Sequence, residues 1–350
     1  MGIIPNFVKA TISILSLGII LIFMFNINKN EKINTLENSG GYLYINYVDS
    51  NLNHRFFQYD FSAKKNKELL SKGVTEYPTA TFSRRQNEVY FTAETNEQTS
   101  QLFKTDLKNN KTIQITKDQF YHVDLLEIDQ ANQKVFMRVL EEKNDRNFQL
   151  AIYDLNTKNL YKWGNRNKDT TVSMMDYNPH FEQILVVTNS VKEEFEKVNE
   201  ANKKGTLPKS PSYTFSIYNK EGKRVKDIAS IDAFLTGVSL SSDGKNILIS
   251  YYNNLEEQTS KIASIDVETQ KMREYSQDSS KLSRIREPIY NSDKSGFYFL
   301  ADIDKPIIIN NEKVKGVTIN FYDIKKKKSS EVWFKEDGQV INFHLDDKSN

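Results

Sequence analysis

The sequence has no cysteine, and this absence removes several kinds of chemistry at once. Disulfides, thiolate zinc sites, thiol catalysis and a lipidated N-terminal cysteine are all excluded. An excess of positive charge is also missing, because 48 Lys and Arg residues stand against 46 Asp and Glu residues. Proteins that bind nucleic acid normally show a basic excess. We therefore expect no nucleic-acid partner.

The common catalytic and metal-binding motifs are missing as well. The chain has no Gly-x-Ser-x-Gly sequence, which marks the nucleophile of many hydrolases, and no Asp-x-Asp-x-Asp-Gly calcium loop. Its four histidines, at positions 54, 122, 180 and 344, show no zinc-type spacing. The sequence therefore predicts neither a metal site nor a cofactor.

Only one long hydrophobic run is present, and it covers residues 10–27 without a single charge. At ~1.5 Å per residue, a helix of this length nearly spans the ~30 Å hydrocarbon layer of a membrane. A cleaved signal peptide is a second interpretation, although residues 23–28 offer no small-residue cleavage site. A buried soluble helix is a third. We expect an uncleaved transmembrane signal anchor.

This anchor divides the chain into four parts. They are a short cytoplasmic N-terminus (1–9), the signal anchor (10–27), a polar tether (28–40) and a folded domain (41–350). Lys9 flanks the run on one side and Lys29 and Lys32 on the other, so charge gives only a weak preference for orientation. An N-terminal anchor ahead of a long polar domain usually delivers that domain outward. We expect a single-pass protein of the cell membrane with an extracytoplasmic domain.

Degenerate copies of one segment recur along the folded domain. The clearest copy, Gly237 to Ile249, reads as a strand, a tight Asp243-Gly244 turn and a second strand. Four other segments align with it without gaps, and they cover residues 79–91, 125–137, 174–186 and 287–299. The second and fourth columns of this alignment are mostly apolar, whereas the turn columns are polar. This period of two is typical of half-buried strands joined by hairpins.

A second signature follows each hairpin and consists of an aromatic or aliphatic pair, a polar residue that is usually Asp, and then usually an apolar residue. It is centred on six positions: Asp60, Asp106, Asp154, Asn219, Asp266 and Asp323. Six copies predict six units, and the spacing of Asp60, Asp106 and Asp154 fits the roughly 40 to 50 residues of a four-stranded propeller blade. We name the strands of each unit a to d, with the Asp near the end of strand c.

The first unit has no segment ahead of it to serve as strand a. Residues 340–348 resemble a strand a that enters its turn, so we expect them to pair with Tyr42 to Val48. With this closure the chain resembles the TolB-type six-bladed propellers over residues 41–350, most clearly in the Ser-Ser-Asp-Gly-Lys turn at 241–245. The expected fold is all-β: a six-bladed β-propeller closed by the C-terminal strand and preceded by an N-terminal transmembrane helix. The resemblance implies protein partners.

Two units carry long inserts between strands b and c. Ser190 and Glu193 are spaced as a capping box, and the pattern that follows predicts a helix over 191–204. In the sixth unit, residues 303–316 predict a hairpin extension. Loops between strands b and c share one face, so we expect both inserts to flank the fifth unit and point away from the membrane. Their apolar residues form the candidate binding surface, unless they pack on their own blades: Phe195, Val198, Ile307, Ile308 and Ile309.

The third column of the hairpin alignment is more polar than its neighbours. It contains Thr81, Glu127, Asp176, Ser239, Ile289 and, if the C-terminal strand is aligned with the rest, His344. These side chains are expected to face a central tunnel. Glu127, Asp176 and His344 could form a cluster that holds a cation or performs acid-base chemistry. The alternative is a water-filled tunnel whose polar lining has no further role.

Taken together, these patterns predict a non-catalytic interaction or scaffold module of the cell envelope. Its partners would be envelope proteins or a wall polymer, with the membrane bound through the N-terminal helix. The alternative is a propeller enzyme, or a ligand sensor, that uses the tunnel cluster on a glycan or a small anionic substrate.

Overall fold

The computed structural model describes residues 41–75, 78–95, 99–117, 119–163, 168–257, 259–276 and 282–346. In chain order the elements are β1 (Tyr42–Asp49), β2 (Asn53–Asp60), β3 (Lys65–Gly73), β4 (Ala80–Ser83), β5 (Glu88–Glu94), β6 (Ser100–Asp106), β7 (Lys111–Gln114), β8 (His122–Asp129), β9 (Lys134–Leu140), β10 (Gln149–Asp154), β11 (Leu160–Trp163), β12 (Thr170–Asn178), β13 (Gln183–Ser190), α1 (Val191–Lys204), β14 (Ser212–Asn219), β15 (Arg224–Asp232), β16 (Phe234–Leu240), β17 (Asn246–Tyr252), β18 (Lys261–Asp266), β19 (Met272–Tyr275), β20 (Leu282–Tyr290), β21 (Gly296–Ile309), β22 (Glu312–Asp323), β23 (Lys328–Trp333) and β24 (Gly338–Asp346). Within these ranges no helix is long and apolar enough to cross a membrane. The predicted cytoplasmic segment, anchor and tether lie outside the described residues.

The strands form six four-stranded sheets, and the predicted six-bladed propeller is confirmed. From inner to outer strand, the sheets are blade 1 (β24-β1-β2-β3), blade 2 (β4-β5-β6-β7), blade 3 (β8-β9-β10-β11), blade 4 (β12-β13-β14-β15), blade 5 (β16-β17-β18-β19) and blade 6 (β20-β21-β22-β23). All neighbouring strands within a blade are antiparallel, as hairpin connections require.

Blade 1 joins the two ends of the propeller. The C-terminal strand β24 pairs antiparallel with β1, and the register places Tyr42 opposite Asp346 and Ile45 opposite Phe343. This is the closure that the sequence predicts. Because both ends of the propeller meet in one sheet, neither leaves an inner strand without a partner.

Each of the six interfaces between neighbouring blades contains one hydrophobic cluster. The second and fourth alignment columns contribute to them: Ala80 and Phe82 are buried between blades 1 and 2, and Val238 and Leu240 between blades 4 and 5. The period-2 pattern therefore marks side chains that pack one blade on the next. Burial of these side chains is the main force that holds the ring together.

The recurring Asp of strand c has a local role that explains its repetition. In every blade its side-chain oxygen accepts hydrogen bonds from backbone N–H groups of the turn that follows. Asp154, for example, accepts from Asn156 N at 2.9 Å and from Thr157 N at 2.8 Å. Asn219 does the same in blade 4. Such Asx-type turns satisfy backbone donors that the ladder leaves free.

Helix α1 has the bounds predicted for it, but its N-terminus is held differently from a complete capping box. Ser190 Oγ accepts from Glu193 N at 3.0 Å, as predicted. Asp169, from the loop before β12, supplies the additional contact by accepting from Lys192 N and from Ser190 Oγ. Gly205 ends the helix in the left-handed conformation that favours glycine.

The long b–c hairpin of blade 6 consists of the ends of β21 and β22 and the turn Asn310-Asn311. Both asparagines have positive φ, as a tight hairpin turn requires. The turn packs on the neighbouring blade, because Asn310 N donates to Ser50 O of blade 1 at 3.1 Å. The tip of this insert therefore leans toward blade 1, on the side of blade 6 away from blade 5.

Candidate functional site

A cavity of about 350 Å³ lies at the centre of the ring. All six residues of the third alignment column line it: Thr81, Glu127, Asp176, Ser239, Ile289 and His344. Residues at the ends of the inner strands and in the turns that follow them, such as Asn178 and Ser242, complete the wall. The cavity therefore lies toward the face on which β1 begins, because Tyr42 pairs with the end of β24.

Irregularities in the inner strands determine which side chains face the centre. In β8 the pairing with β9 shifts between Asp124 and Glu127, and Leu125 has φ of 46°. In β20 the pairing with β21 shifts twice, and Glu287 has φ of 51°. Positive φ is uncommon for side chains other than glycine, and such bulges re-aim the residues around them. In this way they set the positions of Glu127 and Glu287.

Gly237 of β16 allows the inner strands of blades 5 and 6 to approach each other. A Cβ atom at Gly237 would lie 2.5 Å from Glu287 N and 2.6 Å from Glu287 Cα, which is too close for any side chain. The glycine is therefore needed for the close backbone contact that places Glu287 beside the cavity.

His344 and Glu127 form an ion pair across the cavity. His344 Nδ1 lies 3.4 Å from Glu127 Oε1, although the two residues belong to blades 1 and 3, which are not neighbours. Burial alone would lower the pKa of His344. The charge and hydrogen bond of Glu127, with the charge of Glu287, outweigh this effect and raise the pKa of His344. The predicted contact between these two residues is thus present.

Asp176, the third member of the predicted cluster, is anchored to the adjacent blade. Its Oδ2 accepts a hydrogen bond from Leu240 N at 2.7 Å. Burial, followed by the charge of Glu127, raises the pKa of Asp176 well above its ordinary value despite this bond. Asp176 therefore shares the electrostatic environment of Glu127, as the sequence predicts.

Glu287 belongs to the same cluster, and the sequence did not identify it. Burial raises its pKa to about 7, against the opposing charges of Arg286 and His344. Glu287 stands in the first column of the hairpin alignment, where the other copies have Thr, Leu, Met and Gly. A charged residue in that column is the only sign in the sequence that Glu287 differs from its counterparts. Its position beside the cavity depends on the bulges of β20, which one sequence does not reveal.

Tyr177 and Asp346 of the lining interact with Asp129 and Arg84, respectively. Two further polar atoms of the lining, Ser239 Oγ and His344 Nε2, have no hydrogen-bond partner among the described residues, and Ser239 is only 1% exposed. Burying a polar group without a partner costs about 1–3 kcal/mol. Both atoms border the cavity, so a molecule inside it can supply the missing bonds. Across the described ranges no group of three or more His, Cys, Asp or Glu residues could hold a metal ion.

The second predicted site, on the inserts, is only partly assembled. Phe195 is 54% exposed and Val198 38% exposed, so the apolar stripe of α1 faces outward. The opposite side of the helix attaches it to blade 4, through Glu193 Oε1, which accepts from Ser212 N, and Lys197 Nζ, which donates to Ser210 O. The stripe is therefore only partly covered by its own blade.

The isoleucines of the blade 6 hairpin behave differently from one another. Ile307 is only 4% exposed and cannot contact a partner without rearrangement, whereas Ile308 is 55% exposed and Ile309 is half-buried. Neighbouring residues on a strand point to opposite faces, which explains why one is buried and the next is not. The prediction that all three bind a partner does not hold for Ile307.

Comparisons with known proteins agree with this architecture. No protein-family model matches the sequence. The uncharacterized protein YdjN of Bacillus subtilis (strain 168) is 29% identical over 316 residues, which cover 88% of each chain. TolB from Acinetobacter baumannii has a similar structure, with a TM-score of 0.59 at 12% identity over 88% of this chain and 67% of TolB. An oligogalacturonate lyase in complex with manganese gives a TM-score of 0.52 at 11% identity, over 83% of this chain and 72% of the lyase.

The fold and the cavity therefore define the class of this protein. It is a six-bladed β-propeller with a TolB-like fold and a polar cavity at its centre. Proteins of similar structure include both TolB and a lyase, so the fold alone does not distinguish a binding protein from an enzyme.

Proposed function

We propose that this propeller is a non-catalytic interaction module of the cell envelope, held to the membrane by residues 10–27. The observation that carries the proposal is the outward-facing apolar stripe of α1. A helix that turns its polar side to its own domain and Phe195 and Val198 to solvent has a surface suited to another protein. The partner is an envelope protein with a complementary apolar face.

The stripe is tested with the full chain in intact cells. A photo-crosslinking residue at position 195 should capture one partner, and the purified pair should then be tested with the double variant Phe195→Ser, Val198→Ser. Burial of each side chain is worth about 1.5–3 kcal/mol, so we expect affinity to fall by roughly 100-fold or more. Val225→Ser is the matched control, because Val225 is 57% exposed on β15. Equal binding by the double variant and the control would refute the proposal.

The proposed topology can be tested because the chain has no cysteine of its own. Ser62→Cys places a single thiol in the exposed turn after β2, and Asn6→Cys places one ahead of the anchor. A membrane-impermeant maleimide should label position 62 in intact cells and position 6 only after permeabilisation. Labelling at position 6 alone in intact cells would show that the orientation is opposite to the one proposed.

A second candidate function uses the central cavity for a ligand, as a sensor or an enzyme. The specific observation in its favour is the pair of unsatisfied atoms, Ser239 Oγ and His344 Nε2, beside carboxyl groups with raised pKa values. Polar groups arranged at such an energetic cost are typical of functional sites. This function is independent of the α1 stripe, so either can hold without the other.

A further inference from the structure

We propose that the central cavity binds a small organic cation that carries a primary ammonium group and hydroxyl groups. The proposal rests on the second candidate function, that the cavity takes a ligand, and names the class of that ligand.

The charges around the cavity favour a cation. Glu127 and Asp176 line it, and Glu287 adds a third carboxyl beside them. Two positive groups of the lining are already engaged: His344 is paired with Glu127, and the guanidinium of Arg84 pairs with Asp346 at 3.2 Å. An ammonium group would join carboxylates that otherwise repel one another. The small anion considered from the sequence would meet the same carboxylates and be repelled.

A second, independent observation points to a ligand in this cavity. Ser239 lines the cavity and is only 1% exposed. Its hydroxyl has no hydrogen-bond partner among the described residues. His344 Nε2 is buried and unpartnered at the same wall. A hydroxyl oxygen and an imidazole nitrogen pair well with hydroxyl groups of a ligand.

Size and shape agree with a small organic molecule. The cavity volume of about 350 Å³ lies at the lower end of the range for small-molecule sites. Apolar side chains form part of its wall, including Leu240 and Ile289. A bare metal ion fits less well, because the described residues contain no cluster of three or more metal-ligating side chains. An amino sugar combines a suitable charge, hydroxyl content and size.

Calorimetry on the full chain in detergent, at about pH 7 where the amine probes carry their positive charge, tests the proposal. The probes are glucosamine, its neutral analogue glucose and the anionic sugar glucuronate, together with the simpler amines ethanolamine and putrescine. We expect glucosamine to bind at least 10-fold more tightly than glucose, and glucuronate not to bind. Glu127→Gln should weaken glucosamine binding by roughly 10-fold or more, as removal of a charged partner does.

Two further variants locate the site. Ser239→Ala should weaken binding of glucosamine more than that of ethanolamine, if the serine pairs with a sugar hydroxyl. Glu268→Gln is the matched control, because Glu268 is exposed in the turn after β18, and it should bind like the unchanged protein. Thermal unfolding of each variant shows whether a loss of binding reflects a loss of folding.

The outcomes separate the ligand class from the existence of the site. If glucose or glucuronate binds as tightly as glucosamine and Ser239→Ala weakens it, the cavity is a ligand site but the inferred class is wrong. If no probe of any charge binds with a Kd below about 10 mM, both the class and the ligand-binding function fail. Glucosamine binding that Glu127→Gln leaves unchanged would also overturn the inference.

Discussion

Replacing Glu287 by Gln is expected to stabilise this protein at neutral and alkaline pH. Glutamine keeps the shape of the side chain but removes a charge that burial and Glu127 disfavour. In the wild type, the pKa of Glu287 is higher in the folded state than in the unfolded chain, so the folded protein keeps this proton to a higher pH. Stability of the wild type should therefore fall as pH rises from about 4.5 to about 7, and level off above that.

The size of the effect follows from the shift itself. A pKa raised from 4.5 to about 7 corresponds to an upper limit of about 3 kcal/mol, because each pKa unit is worth about 1.4 kcal/mol. Glu287 keeps some contact with solvent, so screening reduces the measured value. For a domain of this length, 3 kcal/mol would raise Tm by roughly 5 °C.

Thermal unfolding followed by circular dichroism measures this effect on the full chain in detergent. Melting curves of wild type and Glu287→Gln are compared at about pH 8 and about pH 4.5, which bracket the expected titration. The variant should melt several degrees higher at the alkaline pH and at nearly the same temperature at the acid pH. Glu268→Gln, on the exposed turn after β18, should show no such pH-dependent difference.

If Glu287→Gln lowers Tm by the same amount at both pH values, the carboxyl serves as a structural hydrogen-bonding group and its charge is not disfavoured. If the wild type instead becomes more stable through the titration of Glu287 as pH rises across this window, the charge of Glu287 is likewise not disfavoured.

Three more predictions follow from the inner strands and from α1. Gly237→Ala should lower Tm, because overpacking against the Glu287 backbone costs about 1–3 kcal/mol, whereas Gly73→Ala, with open space around it, should not. Ser190→Ala should cost about 1 kcal/mol and increase hydrogen exchange in α1, since Glu193 N loses its acceptor. Affinity for ethanolamine, whose ammonium group keeps its proton near pH 7, should rise in calorimetry as pH passes about 7, where Glu287 ionises, and a flat profile would contradict this.

The blade architecture could be predicted because its signals are local. The alternation around Phe82 and Leu240 reflects packing between blades, and the Asp of strand c satisfies its own turn. Helix α1 could also be bounded, since Ser190 and Gly205 cap it from adjacent positions. These features depend on residues close in sequence, so one chain is enough to reveal them.

The remaining features depend on contacts between distant segments. Glu287 reaches the cluster through bulges in β20 and the close approach of Gly237, about 50 residues away in sequence. Asp169 caps α1 from the far side of a hairpin, and Asn310 contacts blade 1 through Ser50. Neither the hydrophobic period of the sequence nor its composition reveals contacts between distant segments. The sequence therefore predicted the lining of the cavity better than its electrostatics.

The position of His344 on the closing strand has a consequence for biosynthesis. β24 is the last of the 24 described strands to be synthesised, and it brings one side of the central cavity with it. Chains that stop short of β24 can form individual blades, since domains of a growing chain begin to fold from the N-terminus. They would lack the imidazole opposite Glu127. Ligand uptake would therefore report that β24 had been synthesised and had closed the ring.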